Sequence, residues 1–292
     1  MNRLYHTRLG RQSYNTSGLD VLEQPWDNLV ILDACRYDLF RTVYGEAERL
    51  PGELAPVESK GANTVEFLKA NFAGRTLHDT VYVTANPQLY RYRNAIDVEF
   101  HSEQHIWREE GWDNEAGTVR PETVTEYALN AAVEFRDKRL IVHYMQPHYP
   151  FLHSDTEFDK DHLQSSDLAD PNFWEQIMSG DLQVSRQQIW ELYEDNLRAL
   201  REHLEVLLKE LAGRTVVTSD HGNMVGERAR PIPVREWGHP RGIYTPELVM
   251  VPWLVHRTGT RREIVAEPPR ERSGGVAEHI VVDRLRDLGY VE

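Results

Sequence analysis

Arg214-Thr-Val-Val-Thr-Ser-Asp-His-Gly222 is the stretch on which the reading of this chain turns. Thr215, Val216, Val217 and Thr218 are β-branched, the composition of a short buried strand. The strand runs into Asp220 and His221, a carboxylate beside an imidazole, and Gly222 releases the chain. Open α/β sheets bind their ligands outside the carboxyl ends of the strands, where this pair would stand. A hard oxygen donor next to an intermediate nitrogen donor suits zinc, manganese or a similar divalent ion. Asp and Gly are also ordinary turn residues, so the pair by itself is equally well read as a surface turn.

Other segments end in the same way. Asn28-Leu-Val-Ile-Leu-Asp33 is an apolar run closing on a carboxylate, followed by Ala-Cys-Arg-Tyr-Asp38. Arg139-Leu-Ile-Val-His-Tyr-Met145 leads into Gln146-Pro-His-Tyr-Pro-Phe151, which places His143 and His148 at or just past a strand end. A further candidate strand, Glu247 to Val255, follows Trp237-Gly-His239. Buried strands that deliver Asp, His and Asp-His from distant parts of the sequence point to one shared site.

The order strand-Asp-x-x-Arg-x-Asp, a Thr in a Gly/Ser/Asn-rich turn, His-x-x-x-Pro-His-x-Pro-Phe, Ser-Asp-His-Gly, then Gly-His before Pro-Glu-Leu, resembles the sulfatase-like branch of the alkaline phosphatase superfamily. The closing Leu285-Arg-Asp-Leu-Gly-Tyr290 is similar to the last helix of many such proteins. The resemblance runs in order from about Asn28 to Tyr290. It implies an alkaline-phosphatase-like α/β fold, a three-layer sandwich with a mostly parallel central sheet and helices on both faces.

Length and composition fit that expectation. The 292 residues can bury a large core and are expected to form one domain, 1–292. A net charge of −14 argues against nucleic acid or an anionic membrane as partner. Only five of the 33 basic residues are lysine, and this acid-rich, lysine-poor balance suggests a cytosol of high ionic strength, with an ordinary acidic protein as the alternative. Cys35 is the one cysteine, so no intrachain disulfide forms and a reducing, cytoplasmic compartment is expected. No stretch approaches the ~18 apolar residues of a membrane span.

Strands are expected at 28–33, 80–84, 139–145, 214–219 and 247–255. Glu122 to Lys138 reads as a helix, as do Val65 to Asn71 and Val276 to Leu288. Gln187 to Leu211 carries Trp190, Tyr193, Leu197, Leu200, Leu204, Leu207 and Leu211 at spacings of three and four, a core-facing stripe. The acidic, irregular 153–185 reads as an insertion beside the site, either a lid or a solvated loop. Arg257 to Gly275 reads as a charged linker.

The resemblance also implies a chemistry. It places a nucleophile in the turn Glu58-Ser-Lys-Gly-Ala-Asn-Thr-Val65, where Thr64 fits best and Ser59 is the reserve. A hydroxyl there would meet a helix N-terminus, which favours an anion, although Thr also serves routinely as an N-cap. The implied metal ligands are Asp33, Thr64, Asp220 and His221, for zinc or manganese, with magnesium or calcium less suited. His148 and His239 would face the substrate's non-bridging oxygens or the leaving group, or complete a second metal position, and His143 is balanced between site and core. Arg36 either binds an oxyanion or braces Asp38. Formylglycine sulfatases need Cys-x-Pro-x-Arg, or a Ser variant of it, at the nucleophile turn, whereas this chain has Asn63-Thr-Val-Glu-Phe67, so no formylglycine is expected. Ala34 stands where many sulfatases carry a second Asp. The expected activity is metal-dependent hydrolysis or transfer of a small anionic phosphate ester. The alternatives are a sulfatase, a non-catalytic anion- or partner-binding member of the fold, and a relative of cofactor-independent phosphoglycerate mutase, against which the length counts.

Overall fold

Asn28 to Asp33 alternates its side chains between two cores. Val30 and Leu32 point into one apolar cluster and Leu29 and Ile31 into another, all fully buried, so this strand lies at the centre of a sheet covered on both faces. The computed structural model describes residues 2–10, 12–45, 49–108, 111–152, 172–269 and 277–290. A short helix, α1 (Asn2–Leu4), precedes the sheet. The strands are β1 (Asn28–Asp33), β2 (Glu53–Glu58), β3 (Thr76–Thr84), β4 (Glu99–His105), β5 (Arg139–Pro147), β6 (Gly213–Ser219), β7 (Met224–Arg228), β8 (Arg235–Gly238) and β9 (Met250–Thr258).

Seven of them form one sheet in the order β2-β9-β6-β1-β5-β3-β4. The run β6-β1-β5-β3-β4 is parallel throughout, while β9 is antiparallel to both β6 and β2. β1, β5 and β6 therefore end at the same edge, and two reversals bring β2 to that edge as well. β7 and β8 form a separate antiparallel pair.

One face is covered by α2 (Tyr37–Val43), α6 (Pro121–Glu134), α8 (Arg186–Ala199), α9 (Arg201–Glu210) and α11 (Glu278–Asp287), whose Phe40, Val124, Leu197, Leu204 and Leu285 share a core. On the other face lie α3 (Thr64–Phe72), α4 (Gln88–Arg91) and α5 (Arg93–Ile96), which contribute Phe67, Phe72, Leu89 and Ile96. The remaining α-helices are α7 (Phe173–Ser179) and α10 (Pro246–Val249), with a π-helical segment at Tyr5–Leu9 and a 3-10 turn at Val21–Glu23. The result is the expected α/β arrangement, a mostly parallel sheet between helical layers.

Three expectations need correction. The segment 247–255 does not begin as strand: Pro246 at a helix start winds Pro246–Val249 into α10, and β9 begins only at Met250. The expected helix 187–211 is two, because α8 stops at Ala199 and α9 starts at Arg201, with Leu200 between them; the apolar stripe continues across the break. β2 and β4, both lying at the sheet's edges, were not anticipated, since Pro56 interrupts the short apolar run of β2 and β4 is almost wholly polar. Of the expected insertion, 153–171 falls outside the described residues, while 173–179 is the helix α7.

Candidate active site

β1, β6 and the turn after β2 deliver Asp33, Asp220 with His221, and Thr64 to one point at the sheet's carboxyl edge. One ligand atom from each of Asp33, Asp220 and His221 lies within 4.8 Å of the others. The His221 Nε2 is 3.3 Å from Asp220 Oδ2 and 3.6 Å from Asp33 Oδ1. Thr64 Oγ1 is 3.2 Å from the same nitrogen. All four side chains are essentially inaccessible to solvent.

Backbone and neighbours fix each orientation. His221 Nδ1 lies 2.7 Å from the Gly222 carbonyl, which makes it the protonated nitrogen and leaves the Nε2 lone pair facing the carboxylates. Asp220 Oδ1 accepts the N–H groups of Ala34 and His221, at 3.1 and 2.8 Å. Asp33 Oδ2 accepts from Asn86 Nδ2 and from the Tyr290 hydroxyl, each at 2.7 Å. The other oxygens, Asp33 Oδ1 and Asp220 Oδ2, are buried with no hydrogen-bond partner. Thr64 is the first residue of α3 rather than its cap, because the Asn63 side chain accepts the Glu66 N–H and fills that role.

A second ring of groups surrounds these. His148 Nε2 and His239 Nε2 are 2.9 Å apart, and the His239 ring lies 4.8 Å from that of His221. His148 Nδ1 is 2.5 Å from the Tyr149 carbonyl, so in this tautomer His239 donates to His148. His143 hydrogen-bonds the Tyr82 hydroxyl through Nδ1, with Nε2 3.9 Å from Asp220 Oδ2. Arg36 is engaged elsewhere. Its guanidinium grips Asp38 and Glu227, donates to the Asn223 carbonyl and covers the Trp190 ring, so the bracing reading describes its contacts. The Ser59 hydroxyl donates to the backbone carbonyl of Asp220, a structural tie. Cys35 is buried, with its N–H on Ser219 Oγ.

Burial dominates the electrostatics. It pushes the Asp33 carboxyl well above its usual range, Asp220 adds to the rise, and the Tyr290 and Asn86 hydrogen bonds oppose it. Asp220 is also raised by burial, against the pull of His143, Thr64 and two backbone N–H groups. Burial lowers His143 and His221 to about 4 and holds His148 and His239 well below the ordinary imidazole value. The four imidazoles are neutral and can act as ligands or hydrogen-bond partners at neutral pH.

A cleft of about 330 Å³ opens above this cluster, with Thr64, His239 and Tyr290 among its lining residues. Asn172, Trp174, Glu175 and Met178 form part of its wall, so the described end of the expected 153–185 insertion borders it.

No protein-family model matches the chain, and no curated protein resembles it in sequence. Solved structures do resemble it. The soluble domain of lipooligosaccharide phosphoethanolamine transferase A from Neisseria meningitidis is 12% identical, aligns over 78% of this chain and 75% of that one, and has a TM-score of 0.51. The chain spans 50% of the intact integral membrane protein of that name. A protein described as a sulfatase, from Bacteroides thetaiotaomicron, is 10% identical over 84% of this chain and 67% of that one, with a TM-score of 0.50. An alkaline phosphatase superfamily protein from Vibrio parahaemolyticus is 10% identical over 99% and 74%, with a TM-score of 0.47. The fold is the one shared by that transferase domain and that sulfatase.

Within this fold the donor set suits a divalent cation. Two buried carboxylates face one another with an unpartnered oxygen each, and a neutral imidazole nitrogen points at both. Burying two such charges without a counter-ion is costly, and a divalent ion bound to oxygen and nitrogen would offset it. Tyr290 and Asn86 were missed as site residues. Asn86-Pro follows β3 with no motif to mark it, whereas Leu-Gly-Tyr290 carries a readable signal. Gly289, at φ +68°, ends α11 and turns Tyr290 inward, and a Cβ there would collide with the Tyr149 hydroxyl. Among the described residues no helix is long and apolar enough to cross a membrane.

Proposed function

We propose that the chain is a metal-dependent phosphoester hydrolase or phosphoryl-group transferase with Thr64 as nucleophile. The observation that carries this reading is the position of Thr64 Oγ1. It lies at the N-terminus of α3, beside His221 Nε2 and the two unpartnered carboxylate oxygens, and in the wall of the cleft. In the first step the Thr64 oxygen attacks phosphorus, the bond from phosphorus to the organic oxygen breaks, and the alcohol departs with a proton. In the second, water or another alcohol attacks phosphorus and the bond to the Thr64 oxygen breaks, restoring the hydroxyl. Water makes the enzyme a hydrolase and a second alcohol makes it a transferase.

Each neighbour has a matching task. Asp33, Asp220 and His221, with Thr64 alongside, would hold a divalent cation, zinc or manganese by donor type, which supplies positive charge against the phosphoryl oxygens and favours ionisation of a nearby hydroxyl. The α3 N-terminus adds a partial positive charge at Thr64. His239, at the cleft wall and hydrogen-bonded to His148, is placed as a neutral ring beside the phosphoryl oxygens or the departing oxygen. Tyr290 and Asn86 hold one oxygen of Asp33 and leave the other directed inward. A cytoplasmic setting and a one-domain chain, with 153–185 beside the site, belong to the same proposal.

The neighbours are named for one phosphoester and one sulfate-ester activity, so fold alone does not choose between them. The chain favours phosphorus because Cys35, its one cysteine, lies outside the Thr64 turn. The direct test is turnover of aryl phosphates by the zinc- or manganese-loaded protein, with quenched samples analysed for phosphorylated Thr64. A metal-loaded protein that cleaves no phosphate ester overturns the proposal.

A further inference from the structure

The chemistry above uses Thr64, His239 and Tyr290 of the cleft lining and leaves the rest of it without a role. Three charged side chains line those walls in a chain of net charge −14, and two are arginines, Arg91 and Arg241. Neither forms an ion pair among the described residues. The third, Glu175, accepts the Asn172 N–H at 2.9 Å in the cap of α7. Arg241 also has the Glu66 carboxylate nearby and Glu175 shares the lining, yet the two arginines, on separate elements, leave the cleft lining itself net positive against the sign of the whole molecule.

Two buried polar atoms in the same lining also lack partners. Trp174, 5% exposed, has an Nε1 with no acceptor, and Gln88, 4% exposed, has an Oε1 with no donor. Buried polar atoms nearly always find partners, and these two, themselves covered from solvent, add unsatisfied polarity behind the cleft surface. Trp237 and Tyr92 add aromatic surface to the cleft. Its volume suits a small molecule rather than a polymer.

We infer that the cleft selects an ester whose organic half is a flat or apolar body carrying its own anionic group, a carboxylate or a second phosphate, recognised by Arg91 and Arg241. This rests on the phosphoester reading. The reacting phosphate has its own partners on the buried floor, where Thr64 is fully covered, whereas Arg91 is exposed at the rim. A second anion on the leaving alcohol accounts for an arginine placed there. The guanidinium is the side chain whose forked donors match such an anion.

Phenyl phosphate and 4-carboxyphenyl phosphate differ by one carboxylate and test this directly. Their binding to zinc-loaded Thr64→Ala protein is measured by calorimetry, so turnover does not enter. The carboxylated ester should bind about ten-fold more tightly, which is about 1.4 kcal/mol. The ratio should shrink with added salt and fall to about one when Arg91→Gln and Arg241→Gln are combined in that background. Equal affinities, or a ratio that survives loss of both arginines, overturn the inference. Turnover by the unaltered protein separates the two levels. Cleavage of both esters with equal binding sinks the substrate assignment alone, whereas cleavage of neither sinks the phosphoester reading itself.

Discussion

At the amino end of β1, Asp27 is fully buried and its carboxylate is fully engaged. The Arg214 N–H donates to Oδ2 at 2.7 Å, and the Arg261 guanidinium reaches both oxygens. Gly213, at φ +94°, makes room, since a Cβ there would stand 2.4 Å from Asp27 Oδ2. At the carboxyl end Asp33 is equally buried, yet one of its oxygens has no partner and its nearest charged neighbour is another carboxylate. The protein neutralises the first charge with its own cation and leaves the second for something it does not encode. An unbalanced buried charge is expensive, so its persistence marks a place where the fold serves a bound ion rather than itself.

The largest expected effect tests whether that open end is a reaction centre. Thr64→Ala removes one hydroxyl at a helix start and should lower turnover of an aryl phosphate by at least about 10³-fold, roughly 4 kcal/mol in the barrier. Its melting curve should match that of the parent protein. Turnover that survives the change would reduce the open end of β1 to a binding site.

Tyr290→Phe comes next. It keeps the ring, which stacks on His148 at 5.1 Å, and deletes only the hydroxyl that holds Asp33 Oδ2. Removing a partner of a ligating carboxylate typically costs 10–100-fold in metal affinity or activity. A chelator-competition titration should show zinc affinity falling by about that factor. Unchanged affinity would mean that Asn86 alone orients Asp33.

Much of this contrast was legible beforehand, and the gaps have physical causes. Asp33, Asp220 and His221 announce themselves because each terminates a run of β-branched or aliphatic residues, and parallel strands bring their ends together whatever their distance in sequence. Thr64 was read through the family's motif order, and only the fold shows its hydroxyl against His221. The closed end was invisible. Arg261 and Arg262 read as a charged linker, and nothing local says that they return to Asp27 and Asn28 at the base of β1. Arg36 was ambiguous for a related reason: Asp38 is near in sequence, but Glu227, which completes its ion pairs, is not. Edge strands such as β2 and β4 stay hidden because Pro56 sits inside the one and the other is almost wholly polar.

The kind of ester cut gives a smaller but decisive ratio. A threonine oxygen can attack phosphorus, but it cannot form the gem-diol through which formylglycine enzymes release sulfate. Aryl phosphate turnover should exceed aryl sulfate turnover at least ten-fold, about 1.4 kcal/mol of discrimination. Cys35→Ser should leave both rates nearly unchanged, because its thiol makes only a long contact, 3.8 Å, to the Arg36 carbonyl. Faster sulfate cleavage, or a Cys35→Ser protein without activity, would contradict the chemistry assigned to the open end.

The smallest effect on turnover is expected at the closed end, and there the comparison can be turned round in the metal-free protein. Asp27→Asn keeps an oxygen for the Arg214 N–H but loses the charge opposite Arg261. Because the Arg261 side chain is 55% exposed, the loss should be modest, about 1 kcal/mol of stability. Asp220→Asn should act in the opposite sense. Its remaining oxygen can still accept the N–H groups of Ala34 and His221, its new amide can donate towards the unpartnered Asp33 oxygen, and one of two opposed buried charges is gone. Thermal melts after exhaustive chelation should therefore place Asp27→Asn below the parent and Asp220→Asn at or above it. With zinc restored the order changes, because only Asp220→Asn loses the stabilisation that a bound ion gives the native state. Turnover of Asp27→Asn should stay within about two-fold of the parent, since the length of β1, roughly 20 Å, separates it from the site. Should both variants destabilise the metal-free protein equally, the two ends of β1 would be alike, and the unpartnered oxygens of Asp33 and Asp220 would need another explanation than a missing ion.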